Sequence, residues 1–286
     1  MPGTFTDSKA QERYFAAYAK VLRKWPVPSE ELDIATKFGP TRVRRSGPEE
    51  GAPIVLLHGI MGSSLSWYPH LAELAARHPV YAIDSIGEPG RSVETLAAST
   101  DDDLAEWLSE VLAALSPEKV YLAGVSRGGF LALNLAIRSS GQIAGVIGLE
   151  PAGFAAISIP KFILWSGKEI FPWLLPAALQ RRIVAGDPAV RHTLRPLLFA
   201  SFKYKAELPP QHVFTDDELR AIEVPVRLVL GERSHIHRAS EVAARVAKLN
   251  PRISTEIVPG TTHALTLQQP DLVTARVLEF VEANPS

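Results

Sequence analysis

A serine between glycines is the clearest sign of chemistry in this sequence. Gly124, Ser126 and Gly128 form a Gly-x-Ser-x-Gly motif, which follows the apolar run 120–123 and opens a helical pattern that extends to about residue 138. In this context the motif is typical of a tight turn from strand to helix that lifts the serine hydroxyl clear of the backbone. The turn is too tight for Cβ atoms at its glycine positions. The pattern therefore predicts a nucleophile at Ser126, and a chance turn of glycine and serine is the alternative interpretation.

A nucleophilic serine needs a neighbouring base, because its hydroxyl is weakly reactive at neutral pH. His263 lies in a loop after the apolar run 253–258 and before a helical pattern from about residue 270 to 281. The serine thus precedes the histidine, which is the chain order expected for this motif. We therefore predict that His263 is the base, and a structural loop histidine is the alternative.

Two other histidines have a spacing that could begin a metal site. His235 and His237 form a His-x-His pattern, but no third ligand is evident nearby. Zinc sites use three or four protein ligands, so an exposed loop is the favoured interpretation. The sequence predicts no metal and no cofactor.

Acyl transfer also needs hydrogen-bond donors for the oxyanion of the transition state. The backbone N–H of Arg127, directly after the serine, is one candidate. The turn after the apolar run 53–57 is rich in small residues and offers the N–H of Ile60, with that of Met61 as the alternative. The side chain of Arg127 could bind a substrate carboxylate, but we expect it to face solvent, and His58 is interpreted as structural.

The surrounding pattern predicts an α/β fold with a mostly parallel central sheet and helices on both of its faces. Apolar runs of strand length alternate with segments of helical period, as in parallel sheets whose strands are buried. The strand candidates are residues 53–57, 80–83, 120–124, 143–149, 226–230 and 253–258. Between the second and the third of them, Thr100 precedes an amphipathic stripe that is typical of a helix.

A hairpin is predicted before the first of these strands. Residues 32–37 and 41–45 have strand character and are joined by a Gly-Pro turn dipeptide. Arg42, Arg44 and Arg45 lie on the second of the two. They could form an anion-binding patch, but we expect a solvated face.

The chain is predicted to consist of an N-terminal helical extension, a core in two parts, and a helical cap inserted between those parts. The extension is residues 1–30, the core is residues 31–151 together with 216–286, and the cap is residues 152–215. In the cap, prolines interrupt short segments rich in Phe, Trp and Leu. Such surface often covers an apolar pocket, so we predict that Phe154 and Trp165 bind substrate, with ordinary packing as the alternative.

Composition limits the classes of function. The net charge of −1 and the isoelectric point near 6.7 give no field that would attract nucleic acid. No apolar run approaches the ~18 residues of a membrane-spanning helix, and the N-terminus lacks the apolar segment of a secretory signal. The sequence has no cysteine, which excludes disulfides and thiol nucleophiles. We expect a cytoplasmic protein that binds neither nucleic acid nor membranes, and the oligomeric state stays open.

With His58-Gly59, Ser126 and His263 in this order, the sequence resembles the α/β-hydrolase fold superfamily over nearly the whole chain. The segments similar to bacillus carboxylesterases of the naproxen type are residues 67–69, 81–92 and 213–219. This resemblance implies a serine carboxylesterase with a helical cap and no cofactor. Trp67, in the first of these segments, is predicted to bind substrate.

The sequence departs from that family at the residue expected to orient the histidine. Family members carry a carboxylate shortly after Gly-Glu at the end of the penultimate strand. Here Gly231-Glu232 is followed by Arg233 and Ser234. A hydroxyl cannot stabilise an imidazolium as a carboxylate does.

Glu150 is the favoured substitute for the missing carboxylate. It follows the strand candidate 143–149, beside the strand of the nucleophile, and should open onto the same edge of the sheet. Haloalkane dehalogenases, which have a similar fold, carry their acid after that strand. The alternatives are Glu232, which is expected to point away, a hinge carboxylate at Glu150 without a catalytic role, and no carboxylate at all.

Together these residues predict a serine hydrolase that cleaves a carboxylic ester of a small apolar substrate through an acyl-enzyme on Ser126. An acyltransferase, a thioesterase or a biosynthetic enzyme of elimination or cyclisation is the alternative among enzymes. Among proteins that are not enzymes, the alternative is a ligand receptor that has this fold but no catalytic activity.

Overall fold

The structure of the protein is a computed structural model. It describes residues 2–116, 118–156, 167, 171–176, 178–180, 186–209 and 211–285. The strands are β1 (Thr4–Phe5), β2 (Ser29–Ile34), β3 (Thr41–Ser46), β4 (Ile54–Leu57), β5 (Val80–Ile83), β6 (Val120–Val125), β7 (Ile143–Leu149), β8 (Tyr204–Lys205), β9 (Val226–Gly231) and β10 (Ile253–Val258). The described α-helices are α1 (Ser8–Leu22), α2 (Leu71–Leu74), α3 (Asp101–Leu115), α4 (Arg127–Arg138), α5 (Pro188–Ser201), α6 (Asp216–Arg220), α7 (Ala239–Leu249), α8 (Leu265–Gln268) and α9 (Pro270–Ala283). None of these helices is long and apolar enough to cross a membrane.

Eight of the strands form one sheet in the order β10-β9-β7-β6-β4-β5-β3-β2. β3 is antiparallel to both β2 and β5, and the other neighbours are parallel. One apolar cluster packs side chains of α3, α4 and α7 on the sheet, and a second packs those of α2 and α9. Burial on both faces explains why the central strands read as continuous apolar runs. The predicted α/β fold with a mostly parallel sheet is confirmed.

The first strand of the predicted hairpin starts and ends earlier than expected. β2 spans Ser29–Ile34 rather than residues 32–37. A turn takes the place of its last residues, since the N–H of Gly39 donates to the carbonyl of Thr36 at 3.0 Å. Gly39 has a φ of 119°, a conformation that favours glycine and that directs the chain into β3.

Arg42 and Arg44 of β3 do not belong to a solvated face, so that expectation is wrong for these two residues. Arg44 is 4% exposed and pairs with Glu31 of the neighbouring strand. Arg42 pairs with Glu31 and, at 2.7 Å, with Asp33. The guanidinium of Arg44 also lies 5.6 Å from the centre of the Trp25 ring, where a cation is stabilised by the aromatic face.

Helix α1 packs against α5, which lies within the predicted cap segment 152–215. Tyr14 and Tyr18 of α1 share an apolar cluster with Leu194 of α5. The Tyr18 hydroxyl also donates to Asp84 Oδ2 at 3.0 Å, which joins α1 to the loop after β5. The division of the chain into extension, core and cap stays a prediction.

Candidate active site

Ser126 lies at the turn between β6 and α4, at the carboxyl edge of the sheet. Its φ of 52° is in the left-handed region, and its N–H donates to the carbonyl of Leu149 at 3.0 Å. A Cβ on Gly128 would lie 2.2 Å from the Leu57 carbonyl oxygen, and one on Gly124 would lie 2.3 Å from that of Gly128. Only glycine fits at these two positions, so the turn has the geometry that its motif predicts.

His263 lies in the loop after β10, and its ring reaches the serine hydroxyl. Nε2 of His263 is 2.9 Å from Ser126 Oγ, although the two residues are 137 positions apart in the chain. The other ring nitrogen, Nδ1, is 3.1 Å from Glu150 Oε2. The imidazole therefore bridges a hydroxyl and a carboxylate.

Glu150 follows β7 directly, and its carboxylate lies at the end of the neighbouring strand β9. The side chain is 1% exposed. Oε1 accepts the N–H of Gly231, and Oε2 accepts the hydroxyl of Ser234 at 2.6 Å. His237 Nε2 lies 3.4 Å from Oε1. Donors on both oxygens stabilise the ionised form of this buried group.

The neighbours of Glu150 set its charge. Burial by itself would raise the pKa of Glu150, but its interactions with His237 and His263 outweigh burial and lower the pKa to about 2. An ionised carboxylate only accepts hydrogen bonds, so Nδ1 of His263 carries the shared proton. Nε2 then presents its lone pair to the Ser126 hydroxyl, as a general base must.

The competing carboxylate does not approach the histidine. Glu232 is exposed, and its Oε2 accepts the N–H of Gly260 at 2.8 Å. Ser234, at the position where the family resemblance implies an acid, donates to Glu150 instead. The structure thus brings together Ser126, His263 and Glu150, and keeps Glu232 apart from them.

The remaining histidines near the site differ in exposure. His235 is exposed, as expected, but His237 is 6% exposed and packs against Glu150, so the expectation of an exposed loop is wrong for this residue. Its Nε2 faces the buried carboxylate of Glu150 at 3.4 Å, so the ring turns inward. His58 is buried, and its Nε2 accepts the N–H of Ser85 at 3.0 Å. The described residues contain no cluster of His, Asp or Glu suited to a metal ion.

The loop after β4 runs beside the serine. A Cβ on Gly59 would lie 3.5 Å from the Cβ of the serine, and Ile60 is exposed. The N–H of Met61 donates to Glu88 Oε2 at 2.8 Å, so this alternative donor is engaged elsewhere. Arg127 is the first residue of α4, where an N–H has no acceptor inside its own helix. Ile60 and Arg127 are therefore the candidate donors that an oxyanion could use.

The side chain of Arg127 is buried, so the expectation that it faces solvent is wrong. It is 4% exposed, and its Nε lies 3.3 Å from Glu88 Oε1. The pairing accounts for the burial, because a buried guanidinium requires a carboxylate partner. The sequence does not predict a role for Glu88, since its Gly-Glu-Pro-Gly context indicates only a turn.

Backbone strain is concentrated around this site. Within the described ranges, a positive φ outside glycine occurs at Met61, Ser126 and Glu150, with values of 59°, 52° and 51°. Such a conformation costs about 1 to 3 kcal/mol per residue and persists only where surrounding contacts enforce it. All three residues follow strands of the sheet at its carboxyl edge, which is where ligands bind in open α/β sheets.

An apolar cavity of about 210 Å³ opens beside the loop that holds Ile60. Its apolar walls include Trp67, Trp173, Leu194, Leu197 and Leu267. Trp67 thus lies where a substrate-binding residue is predicted. Phe154 is buried against Phe214, with ring centres 5.9 Å apart, and does not line this cavity. Trp165 lies outside the described residues.

Comparison with protein families identifies the fold. A family model described as the alpha/beta hydrolase family matches residues 54–276. The chain belongs to this family. The matched segment begins at β4 and ends within α9, so it contains Ser126, Glu150 and His263.

Known relatives place the chain near bacterial carboxylesterases. It is 34% identical to carboxylesterase YbfK of Bacillus subtilis (strain 168), over 94% of this chain and 93% of the relative. A second protein of that strain, named uncharacterized carboxylesterase nap, is 32% identical over 95% of this chain and 93% of its own length. The crystal structure of naproxen esterase from Bacillus subtilis superposes with a TM-score of 0.82 at 30% identity, covering 95% of this chain and 98% of that one. The resemblance to bacillus carboxylesterases is confirmed.

Proposed function

We propose that this protein is a serine carboxylesterase that cleaves esters of small apolar substrates through an acyl-enzyme on Ser126. The observation that carries the proposal is the distance of 2.9 Å between Ser126 Oγ and His263 Nε2. Membership of the alpha/beta hydrolase family supports it. Two relatives named carboxylesterases favour hydrolysis of esters over the other reactions considered for this fold.

In the first half-reaction, Ser126 becomes acylated. Nε2 of His263 takes the hydroxyl proton while Oγ attacks the ester carbonyl. The carbonyl oxygen becomes negatively charged, and the N–H groups of Ile60 and Arg127 donate to it, each contributing about 3 to 4 kcal/mol of transition-state stabilisation. The imidazolium then gives its proton to the leaving alkoxide, which departs as the alcohol.

In the second half-reaction, water takes the place of the alcohol. His263 removes a proton from the water as its oxygen attacks the acyl carbon, and then returns that proton to Ser126 Oγ as the acid is released. Glu150 stays ionised in both steps, because its pKa is about 2. Its negative charge stabilises the imidazolium, and Ser234 holds the carboxylate in place.

The apolar cavity suits one part of the substrate. Trp67 and Leu194 line it together with other apolar side chains, and such walls favour an uncharged acyl or alcohol group. A cytoplasmic location and a helical cap over the site stay predictions.

Labelling with a fluorophosphonate, followed by peptide mass mapping, tests the nucleophile. We expect a single label on Ser126, no label in Ser126→Ala, and a fall in kcat for nitrophenyl esters of about 10⁶-fold in that variant. Ser240→Ala, which alters an exposed serine of α7, is the control and should behave as wild type. Labelling at another residue would refute the proposal. Release of acid and alcohol in equal amounts distinguishes hydrolysis from acyl transfer, which would form a new ester with an added alcohol.

A further inference from the structure

The carboxylate of Glu88 contacts both segments that carry the candidate oxyanion donors. Its Oε2 accepts the N–H of Met61, the residue after Ile60, at 2.8 Å. Its Oε1 lies 3.3 Å from Nε of Arg127, the residue after Ser126. These segments follow β4 and β6, which are neighbours in the sheet, so one carboxylate joins two adjacent strand ends.

This contact is withdrawn from solvent. The side chains of Glu88 and Arg127 are 1% and 4% exposed. Burial raises the pKa of Glu88 to about 7, although the charge of Arg127 and the N–H of Met61 act in the opposite direction. Two apolar side chains in the same space would often be no less stable than such a buried pair. Stability of the fold therefore does not by itself explain why a charged pair occupies this position.

Met61, the strained residue of the loop after β4, donates its N–H to a side chain, whereas the other two strained residues donate theirs to the backbone. The N–H groups of Ser126 and Glu150 donate to the carbonyls of Leu149 and Val229, which the sheet holds in place. The N–H of Met61 donates to a side chain. The left-handed conformation at Met61, and with it the direction of the peptide before it, is therefore fixed from outside the sheet.

We propose that Glu88 is a positioning residue for the oxyanion hole, which holds the N–H groups of Ile60 and Arg127 at the spacing that the transition state requires. The inference rests on the proposed function, because the two donors have this purpose only if an oxyanion forms at Ser126. Glu88 acts through the loop and through the Arg127 side chain. A displacement of about 1 Å lowers the rate by about 100-fold, and the loss falls on kcat because the oxyanion exists only in the transition state.

Two double variants that both lack the charged pair give the decisive comparison. In Glu88→Gln/Arg127→Leu an amide oxygen can still accept the N–H of Met61, and in Glu88→Leu/Arg127→Leu no acceptor remains. We expect kcat of the second variant to be about 100-fold below that of the first, with KM equal within about threefold. Affinity for a trifluoromethyl ketone, which forms a tetrahedral oxyanion on the serine, should fall in the same proportion, while that for the matching methyl ketone should not change.

The methionine content provides a readout that needs no turnover. Met1 and Met61 are the two methionines of the sequence. In a protein labelled with ¹⁵N-methionine, the amide signal that disappears in Met61→Leu is therefore that of the Met61 N–H. We expect slow hydrogen exchange of this amide in wild type and in the Gln variant, and exchange at least about tenfold faster in the Leu variant.

The outcomes separate this inference from the proposed function. A wild type that hydrolyses esters, together with equal kcat in the two double variants, overturns the role of Glu88 alone. Fast exchange of the Met61 amide in wild type overturns it as well, even where a variant does not fold. A wild type that neither hydrolyses esters nor accepts a label on Ser126 overturns the proposed function, and the role of Glu88 with it.

Discussion

The Ser234 hydroxyl donates a hydrogen bond of 2.6 Å to Oε2 of Glu150, the same oxygen that lies 3.1 Å from His263 Nδ1. At the place where related enzymes are expected to carry an acid, this chain therefore has a hydroxyl that supports an acid from the next strand. β7 and β9 are parallel neighbours, so the residues that follow them open onto one edge of the sheet. A carboxylate can reach the same imidazole from either strand end.

This relationship predicts that the acid can be moved to the other strand. Glu150→Ala should lower kcat/KM by about 10⁴-fold, because the imidazolium loses its counter-charge. Adding Ser234→Asp to that variant should restore activity by about tenfold or more, since a carboxylate then lies within reach of the same imidazole. Ser234→Asn in the same background is the matched control without charge. Equal activity of the Asp and Asn variants would contradict the account.

The lowered pKa of Glu150 predicts a loss of stability in acid. Its ordinary value of 4.5 falls to about 2 in the folded protein, so the stabilisation is complete above about pH 4.5 and is lost as the pH falls towards 2. The free energy of unfolding of wild type, relative to Glu150→Gln, should fall by on the order of 2 kcal/mol between pH 6 and pH 3. Urea unfolding of the two proteins at both pH values measures this difference. A constant difference would show that Glu150 is not held as a stabilised carboxylate.

The turn at Ser126 predicts an unusually sensitive glycine. In Gly128→Ala the new Cβ would lie 2.2 Å from the carbonyl oxygen of Leu57, so the strand or the helix must shift. We expect a loss of about 3 kcal/mol or more in the free energy of unfolding, together with loss of esterase activity. Gly141→Ala is the control, since a Cβ there would meet no atom within 4 Å. An unchanged melting temperature in Gly128→Ala would show that the turn differs from the one described.

The parts of the site that the sequence predicts are those with a strong local signal. Ser126 can be predicted because the tight turn requires glycine at fixed positions around it, and Gly124 and Gly128 each lie two residues from it in the chain. The central strands are found because burial on both faces requires a continuous apolar run. The prediction of His263 depends only on the order of the elements along the chain and on its place in a loop after a late strand.

The parts that the sequence leaves open depend on pairs that are distant along the chain. Glu150 and Glu232 both follow apolar strands, and only the three-dimensional arrangement shows which of them faces the imidazole. The burial of Arg127 depends on its pairing with Glu88, and no local pattern in the sequence shows that these two residues are partners. The pairing of Arg44 with Glu31 across the antiparallel strands depends on the register of β2 and β3, which the composition of the two segments does not show.

We propose that Glu150 completes the catalytic arrangement of Ser126 and His263, and two single variants decide between it and Glu232. Glu150→Gln and Glu232→Gln each replace one carboxylate by an amide of nearly the same shape. The measurement is kcat/KM for one nitrophenyl ester with wild type and both variants at the same pH. We expect a fall of about 10⁴-fold in Glu150→Gln and no change in Glu232→Gln. An unaltered rate in Glu150→Gln with loss of activity in Glu232→Gln would contradict it.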